Sequence, residues 1–414
     1  MQIDGYAEEI RNLGGIKFIK LHTPSGDIQV TLQKKKVSKK LFDKVDEITR
    51  QSALTVTGKL RRNKEAPEGK EIIPTKIEII SLAETPLPLE PSEKTPAELE
   101  TRLDWRFLDL RTDKSLAIFK IQNEILRSFR EFLIKEGFFE MQPPAIIASA
   151  SEGGADLFEI PYFEKKAYLA QSPQLYKQMG AISLGKVFMI IPVWRAEKFN
   201  KPTHLNEIRQ MDIEMGFVKS EEDAMKVLER VLVHILKSVN KNSKKELESL
   251  KKQLKISKLP LKRITYTKAI EALKKHGEKI EWGNDFSKLQ EEKLSKIFGN
   301  AFFIKDWPTE AKTFYTMPYK DNPKLCHAFD LVHNGLEIAS GTQRIHIPEL
   351  LIKQIKAFGL KPEDFKYYIN CFRFGSPPHS GWSIGLERIT MTITGMKNIR
   401  ECCMFPRDRN RLTP

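Results

Sequence analysis

The chain has 414 residues, 40% hydrophobic and 30% charged, a soluble globular mixture with enough apolar material for one large domain plus a smaller one. The formal net charge of +15 favours a polyanionic partner, with a solvated lysine-rich surface as the bland alternative. The four cysteines Cys326, Cys371, Cys402 and Cys403 form no CxxC pair, which argues against a zinc site and fits a reduced, cytoplasmic compartment. Met1-Gln2-Ile3-Asp4 opens no secretory signal. The most apolar run, 180–194, is short and carries Lys186 and Pro192, so no membrane span is expected.

Residues 1–83 read as short strands. Ile16 to Leu21 and Asp27 to Leu32 flank the turn Pro24-Ser25-Gly26. Leu54, Val56, Gly58 and Leu60 alternate with polar residues, as do Ile77 and Ile79, and one helical stretch spans about 38–46. A small basic five-stranded barrel of the oligonucleotide-binding type is the economical reading. The proline-dense run Thr85-Pro86-Leu87-Pro88-Leu89-Glu90-Pro91 opens a hinge over 84–112. From there to 414 the pattern is mixed. Ile118, Ile121, Ile125, Phe129 and Phe132 have helical spacing ended by Gly137, and Ser220 with Asp223 opens a second amphipathic helix. Strand-like runs follow one another without regular crossover helices, so an α+β domain on an antiparallel sheet flanked by helices is expected.

Chemistry concentrates in two places. If Glu337-Ile338-Ala339-Ser340-Gly341-Thr342-Gln343-Arg344 is a strand, Ser340, Thr342 and Arg344 share one face, which suits a divalent metal beside an anion clamp. Gly381-Trp382-Ser383-Ile384-Gly385-Leu386-Glu387-Arg388 is a small-residue turn running into an arginine, where backbone can approach a phosphate. Upstream, Arg195, Glu197 and Asp212 lie on a strand, loop and returning strand. They form either a phosphate clamp or a hairpin with surface ion pairs.

These residues carry a resemblance. Gly137-Phe138-Phe139-Glu140 through Pro144, Trp194-Arg195-Ala196-Glu197 through Phe217, and Gly385-Leu386-Glu387-Arg388 through Phe405-Pro406-Arg407-Asp408 look, in order, like motifs 1, 2 and 3 of class II aminoacyl-tRNA synthetases. With the ending Arg411-Leu412-Thr413-Pro414, the chain resembles the aspartyl-tRNA synthetases of the archaeal and eukaryotic type over nearly its whole length.

The resemblance implies ATP-dependent activation of L-aspartate and its transfer to tRNA-Asp by a homodimer, with motif 1 at the dimer interface and Mg²⁺ as cofactor. Arg195, Glu337 and Arg388 would be catalytic. Arg195 would contact the α-phosphate and the reacting carboxylate, and Arg388 the γ-phosphate and adenine. The ATP site would take Glu197, Thr203, His204, Leu205, Ile208, Gly385, Leu386 and Glu387 as well. Glu337, Ser340 and Asp330 would surround the metal. Glu152, in the loop Ser151-Glu152-Gly153-Gly154 that closes over the amino acid, would lie near its ammonium. Gln174, Lys177, Asp212, Ser340 and Arg344 would complete the pocket. An aspartate side chain needs fixed positive charge, and Lys177 with Arg344 would supply it; asparagine would leave those donors underused.

On the barrel, Arg11, Phe18 and Gln29 would read the anticodon, although an isolated phenylalanine such as Phe18 is more often a core aromatic. Glu8 and Pro67 stand where enzymes restricted to tRNA-Asp carry Trp and Lys, which points to tRNA-Asn as a second substrate. Several positions depart from the family pattern, among them Ser380 and Ser383, which replace glycines near motif 3. Thr203 replaces an arginine, and Ile208 replaces a phenylalanine that stacks on adenine. Thr203 and Ile208 keep a catalytically silent tRNA-binding paralogue as a competing reading, beside an asparaginyl-tRNA synthetase.

Overall fold

Period-two alternation builds the first five strands. In β1 (Gln2–Asn12), β2 (Ile16–Thr23), β3 (Gly26–Gln33), β4 (Ala53–Arg62) and β5 (Lys70–Ser81) the inward positions include Ile19, Leu21, Val30, Leu32, Leu54, Val56, Ile72 and Ile77, all buried. They pack on Leu41 and Phe42 of α1 (Lys39–Lys44), whose first turn is capped by the Ser38 hydroxyl accepting from the Leu41 N–H. The strands close into a barrel in the order β1-β2-β3-β5-β4. Past a bulge at Thr57/Gly58, Leu60 is exposed, against the simple alternation expected there.

The computed structural model describes residues 1–66, 69–92, 94–148 and 157–414. Pro67 and Glu152, both singled out above, lie outside the described residues. The chain forms two compact units, Met1–Leu116 and Ala117–Pro414. The stretch read as a hinge contains two short helices, α2 (Leu99–Asp104) and α3 (Arg106–Asp109), and a fully buried Arg106–Asp109 ion pair.

In the second unit α4 (Asp113–Lys135) turns Ile121, Ile125 and Phe129 inward at helical spacing. Gly137, at φ 78°, lets the chain leave the helix. Then come β6 (Phe139–Glu140), β7 (Ile146–Ile147), β8 (Glu159–Tyr162), β9 (Lys165–Leu169), α5 (Gln174–Leu184), β10 (Lys186–Trp194), β11 (Glu207–Gly216), α6 (Glu221–Asn242) and α7 (Lys244–Ser249). The chain continues through β12 (Lys262–Thr265), α8 (Tyr266–Lys275), α9 (Lys288–Phe298), β13 (Ala301–Pro308), β14 (Leu325–His333), β15 (Leu336–Gln343), α10 (Pro348–Ala357), α11 (Lys366–Arg373), β16 (His379–Gly385) and α12 (Leu386–Thr394).

Eight strands make one sheet, ordered β12-β13-β14-β15-β16-β11-β10-β6, and β7-β9-β8 make a small second one. The large sheet is antiparallel in its middle, but both edge pairs, β12 with β13 and β6 with β10, are parallel. It is therefore a mixed sheet, antiparallel through its centre as expected, with parallel pairs at its two edges. Single inward residues such as Met211, Ile213, Trp382 and Ile384 meet α4 and α6 in the largest core, each full burial stabilising by about 1.5–3 kcal/mol. The alternate residues Gln210, Asp212, Ser340 and Ser383 line a cavity instead. One sheet thus holds the core on one side and the polar site on the other.

Candidate active site

Strand register assembles the floor of the site. Asp330, Ser340, Ser383 and Asp212 are cross-strand partners in one row over β14, β15, β16 and β11. Thr342, Gly381 and Glu214 form the next row. Glycine is required at 381, because an ideal Cβ there would lie 2.2 Å from the Ile213 carbonyl oxygen. Above this floor is a cavity of 490 Å³. Its lining includes Arg195, Glu197, Thr203, His204, Leu205, Ile208, Asp212, Gln174, Lys177, Asp330, Glu337, Ser340, Arg344, Gly385, Glu387 and Arg388. Leu386 is the exception among the described candidates of this domain. As the first residue of α12 it turns into the main core, between two residues that do line the cavity.

At one end two buried cations meet two buried carboxylates. Lys177 Nζ donates to Asp212 at 2.6 Å and lies 3.7 Å from Glu214. Arg344 donates to both Glu214 oxygens at 3.1 and 3.2 Å and to the Thr342 hydroxyl at 2.6 Å. The four formal charges sum to zero. Lys177 and Arg344 are thus each paired with a carboxylate inside the protein, and both also line the cavity. Glu214 was missed by sequence reasoning, although its i+2 spacing from Asp212 on a strand was the available signal.

Behind this end lies a determinate hydrogen-bond chain. His379 Nδ1 faces the Pro377 carbonyl at 2.9 Å, so it carries the proton, and burial pushes the imidazole down to about 4 and keeps it neutral. Nε2 must then accept from the Gln178 amide at 2.8 Å. The Gln178 oxygen accepts from the Tyr368 hydroxyl and from Gln174 Nε2, each at 2.8 Å. Gln174 is left with its carbonyl oxygen as the acceptor still to be assigned.

The opposite end is built for phosphates and a cation. The loop after β10 is pinned by Asn206, whose amide donates to the carbonyls of Arg195 and Glu197 at 2.7 and 2.9 Å. Burial and the neighbouring Arg388, Lys201 and Arg195 hold His204 down at about 4, and the Thr203 hydroxyl sits 3.0 Å from its Nδ1. Arg388 donates to the Glu337 carbonyl at 3.1 Å and lies 3.9 Å from its carboxylate. Burial, then Asp330, pushes Glu337 up to about 7. Ser340 is the register partner of Asp330. Two mutually repelling carboxylates and a hydroxyl are hard oxygen donors, which fits a divalent cation such as Mg²⁺. Glu291 of α9, also missed, accepts from the Glu337 N–H at 2.9 Å and is pushed up to about 8 by burial.

On the barrel, Arg11 pairs across strands with Phe18, and Phe18 with Thr31, so all three share the outer face; Gln29, two residues from Thr31, joins them. Phe18 is half-buried and belongs to no core. Glu71, missed before, accepts from Thr31 at 2.5 Å and from Gln29 at 3.4 Å. Glu8 joins His22 and Asp27 in a cluster, and Lys20 bridges Glu8 and Asp27 at 2.8 and 2.7 Å.

A family model described as tRNA synthetases class II (D, K and N) matches residues 98–409. The chain belongs to this family. Residues 2–80 match the OB-fold nucleic acid binding domain. Among curated relatives of this class II synthetase, the aspartate–tRNA(Asp/Asn) ligase of Methanopyrus kandleri is 49% identical, covering 100% of this chain and 96% of that one. The aspartate–tRNA(Asp) ligase of Pyrococcus abyssi is 46% identical with the same coverage. Among solved structures, asparaginyl-tRNA synthetase from Pyrococcus horikoshii with asparaginyl-adenylate superposes with a TM-score of 0.96 at 32% identity, covering 100% and 96% of the two chains. Aspartyl-tRNA synthetase from Entamoeba histolytica gives 0.88 at 35%, covering 100% and 90%. Among the described residues no helix is long and apolar enough to cross a membrane.

Proposed function

We propose that this chain is an aspartate–tRNA ligase that charges tRNA-Asp and also tRNA-Asn. The carrying observation is a single cavity with Lys177 and Arg344 at one end and Arg195, Arg388 and the Asp330/Glu337/Ser340 donors at the other. A dicarboxylic amino acid spans such a cavity with its side chain on Lys177 and Arg344, its ammonium at the Gln174 oxygen and its α-carboxylate toward Arg195. An α-carboxylate oxygen attacks the α-phosphorus of ATP, and the bond to the bridging oxygen breaks, releasing pyrophosphate. The terminal tRNA hydroxyl then attacks the adenylate carbonyl, losing its proton as AMP leaves. Arg195 and Arg388 hold the phosphates in line and stabilise the charge that develops on them. Asp330, Glu337 and Ser340 would hold Mg²⁺, whose chemistry is to offset phosphate charge.

Fold likeness does not separate the acid from the amide, since the asparaginyl enzyme superposes well. Relatives of higher identity, all named aspartate ligases, support the acid. The reading extends to tRNA-Asn on Glu8 and Pro67 and on the tRNA(Asp/Asn) name of the Methanopyrus kandleri relative. Arg11, Phe18 and Gln29, sharing one barrel face, are our candidate anticodon readers. Exposed Phe139 on β6 supports motif 1 as a homodimer contact, and the reduced cysteines support a cytoplasmic location. ATP–pyrophosphate exchange run with aspartate and asparagine side by side tests the proposal. Exchange driven by aspartate is expected; exchange driven by asparagine, or none, overturns it. Charging purified tRNA-Asp and tRNA-Asn tests the second half, and an uncharged tRNA-Asn would remove it.

A further inference from the structure

Lys312 lines the cavity beside the Asp330 carboxylate. It follows the short turn Thr309–Ala311, and its ammonium donates to both Asp330 oxygens at 3.0 and 2.8 Å. The same nitrogen lies 3.9 Å from the centre of the Trp307 ring, which is buried. A bulge between Lys305 and Trp307, with Asp306 at φ 59°, interrupts the β13–β14 pairing just before that ring. Asp285, Asp330 and Glu337 act on the Lys312 ammonium, and the carboxylates lining this end of the cavity outnumber its cations, so losing Lys312 raises the negative excess by one.

We propose that Lys312 is an exchangeable counter-ion that neutralises Asp330 until a divalent cation takes over that carboxylate, and then turns to the departing pyrophosphate. This rests on the reading of Asp330 and Glu337 as metal ligands. A lysine suits the task because its ammonium is a compact point charge on a flexible stem, able to change partner without a fixed fork geometry. The ammonium and the metal compete for one carboxylate, so removing the charge at 312 strengthens metal binding while it weakens pyrophosphate binding. A residue that merely supports the site would, when changed, weaken both.

The test is a titration of the full-length protein with Mn²⁺ alone, followed by the paramagnetic signal of the free ion, together with the KM for pyrophosphate in the reverse reaction. Lys312→Met is expected to bind Mn²⁺ at least about fivefold more tightly, the floor that removing one unit charge a few ångströms away sets at bulk-water dielectric, and to raise the pyrophosphate KM with the aspartate KM unchanged. Lys312→Gln is the second neutral variant should the first not fold, and Lys312→Arg should return Mn²⁺ affinity to the wild-type level. Unchanged or weakened Mn²⁺ binding in a folded neutral variant overturns the proposal. The titration contains neither aspartate nor nucleotide. A wrong amino-acid assignment therefore leaves the titration unaffected and appears in the exchange assay, whereas a failure at Lys312 appears in the titration.

Discussion

Glu387 lies within the α12 turn with its carboxyl accepting from the Arg209 N–H at 3.1 and 3.2 Å, and burial pushes it up to about 7. In the unfolded chain it would ionise near its ordinary value of 4.5. Below that value both states are protonated and the residue costs nothing. As pH rises toward 7 the folded state alone keeps the proton, and stability falls by an amount on the order of 3 kcal/mol. Glu387→Gln keeps the acceptor and removes the titration. It should match the wild type below pH 4.5 and unfold at higher denaturant above pH 7. Equal midpoints at pH 8 would refute the burial argument. The same residue shows the limit of motif reading. Gly385, Leu386, Glu387 and Arg388 look like one block in sequence, yet on a helix successive side chains point about 100° apart, and Leu386 goes to the core.

Strand elements were the most legible part of the site. The period of two puts Ser340, Thr342 and Arg344 on one face, and Arg344, just past the end of β15, still reaches Thr342. What sequence could not supply was register between strands far apart in the chain. The row from Asp330 to Asp212 spans four strands, and the Lys312–Asp330 contact depends on a bulge. The parallel edge pairs were equally invisible, because two-residue β6 carries no pattern of its own. Helix α11 supplies Tyr368 to the Gln178 junction, which fixes the amide of Gln174 on α5. Tyr368→Phe keeps the ring and removes one buried hydrogen bond worth roughly 0.5–1.5 kcal/mol. The KM for aspartate should rise about threefold to tenfold with kcat and the ATP KM unchanged, as one buried hydrogen bond would dictate. Steady-state exchange kinetics check it, and an equal change in both KM values would point to general loosening.

The whole chain divides into two units with separate cores, and every described residue lining the cavity falls between Ser172 and Ile399. Amino-acid activation should therefore survive loss of the barrel. A fragment beginning at Asp113, the start of α4, is expected to sustain aspartate-dependent exchange with near wild-type KM values and to charge tRNA far more slowly than the full chain. Loss of exchange in a folded fragment would show that the barrel contributes to the site. The barrel itself was readable from alternation and turn residues alone. The 84–112 stretch was not, because proline density hides the short helices and the buried Arg106–Asp109 pair.

The four charges around Lys177 have a consequence for how such a chain can change over generations. Each is matched by another inside the protein, so replacing Lys177 alone abandons Asp212, and replacing Arg344 alone abandons Glu214. Drift toward a neutral amino acid therefore cannot proceed by single steps at these positions without passing through an unstable ancestor. Compensating pairs, or changes outside the quartet, are the passable routes.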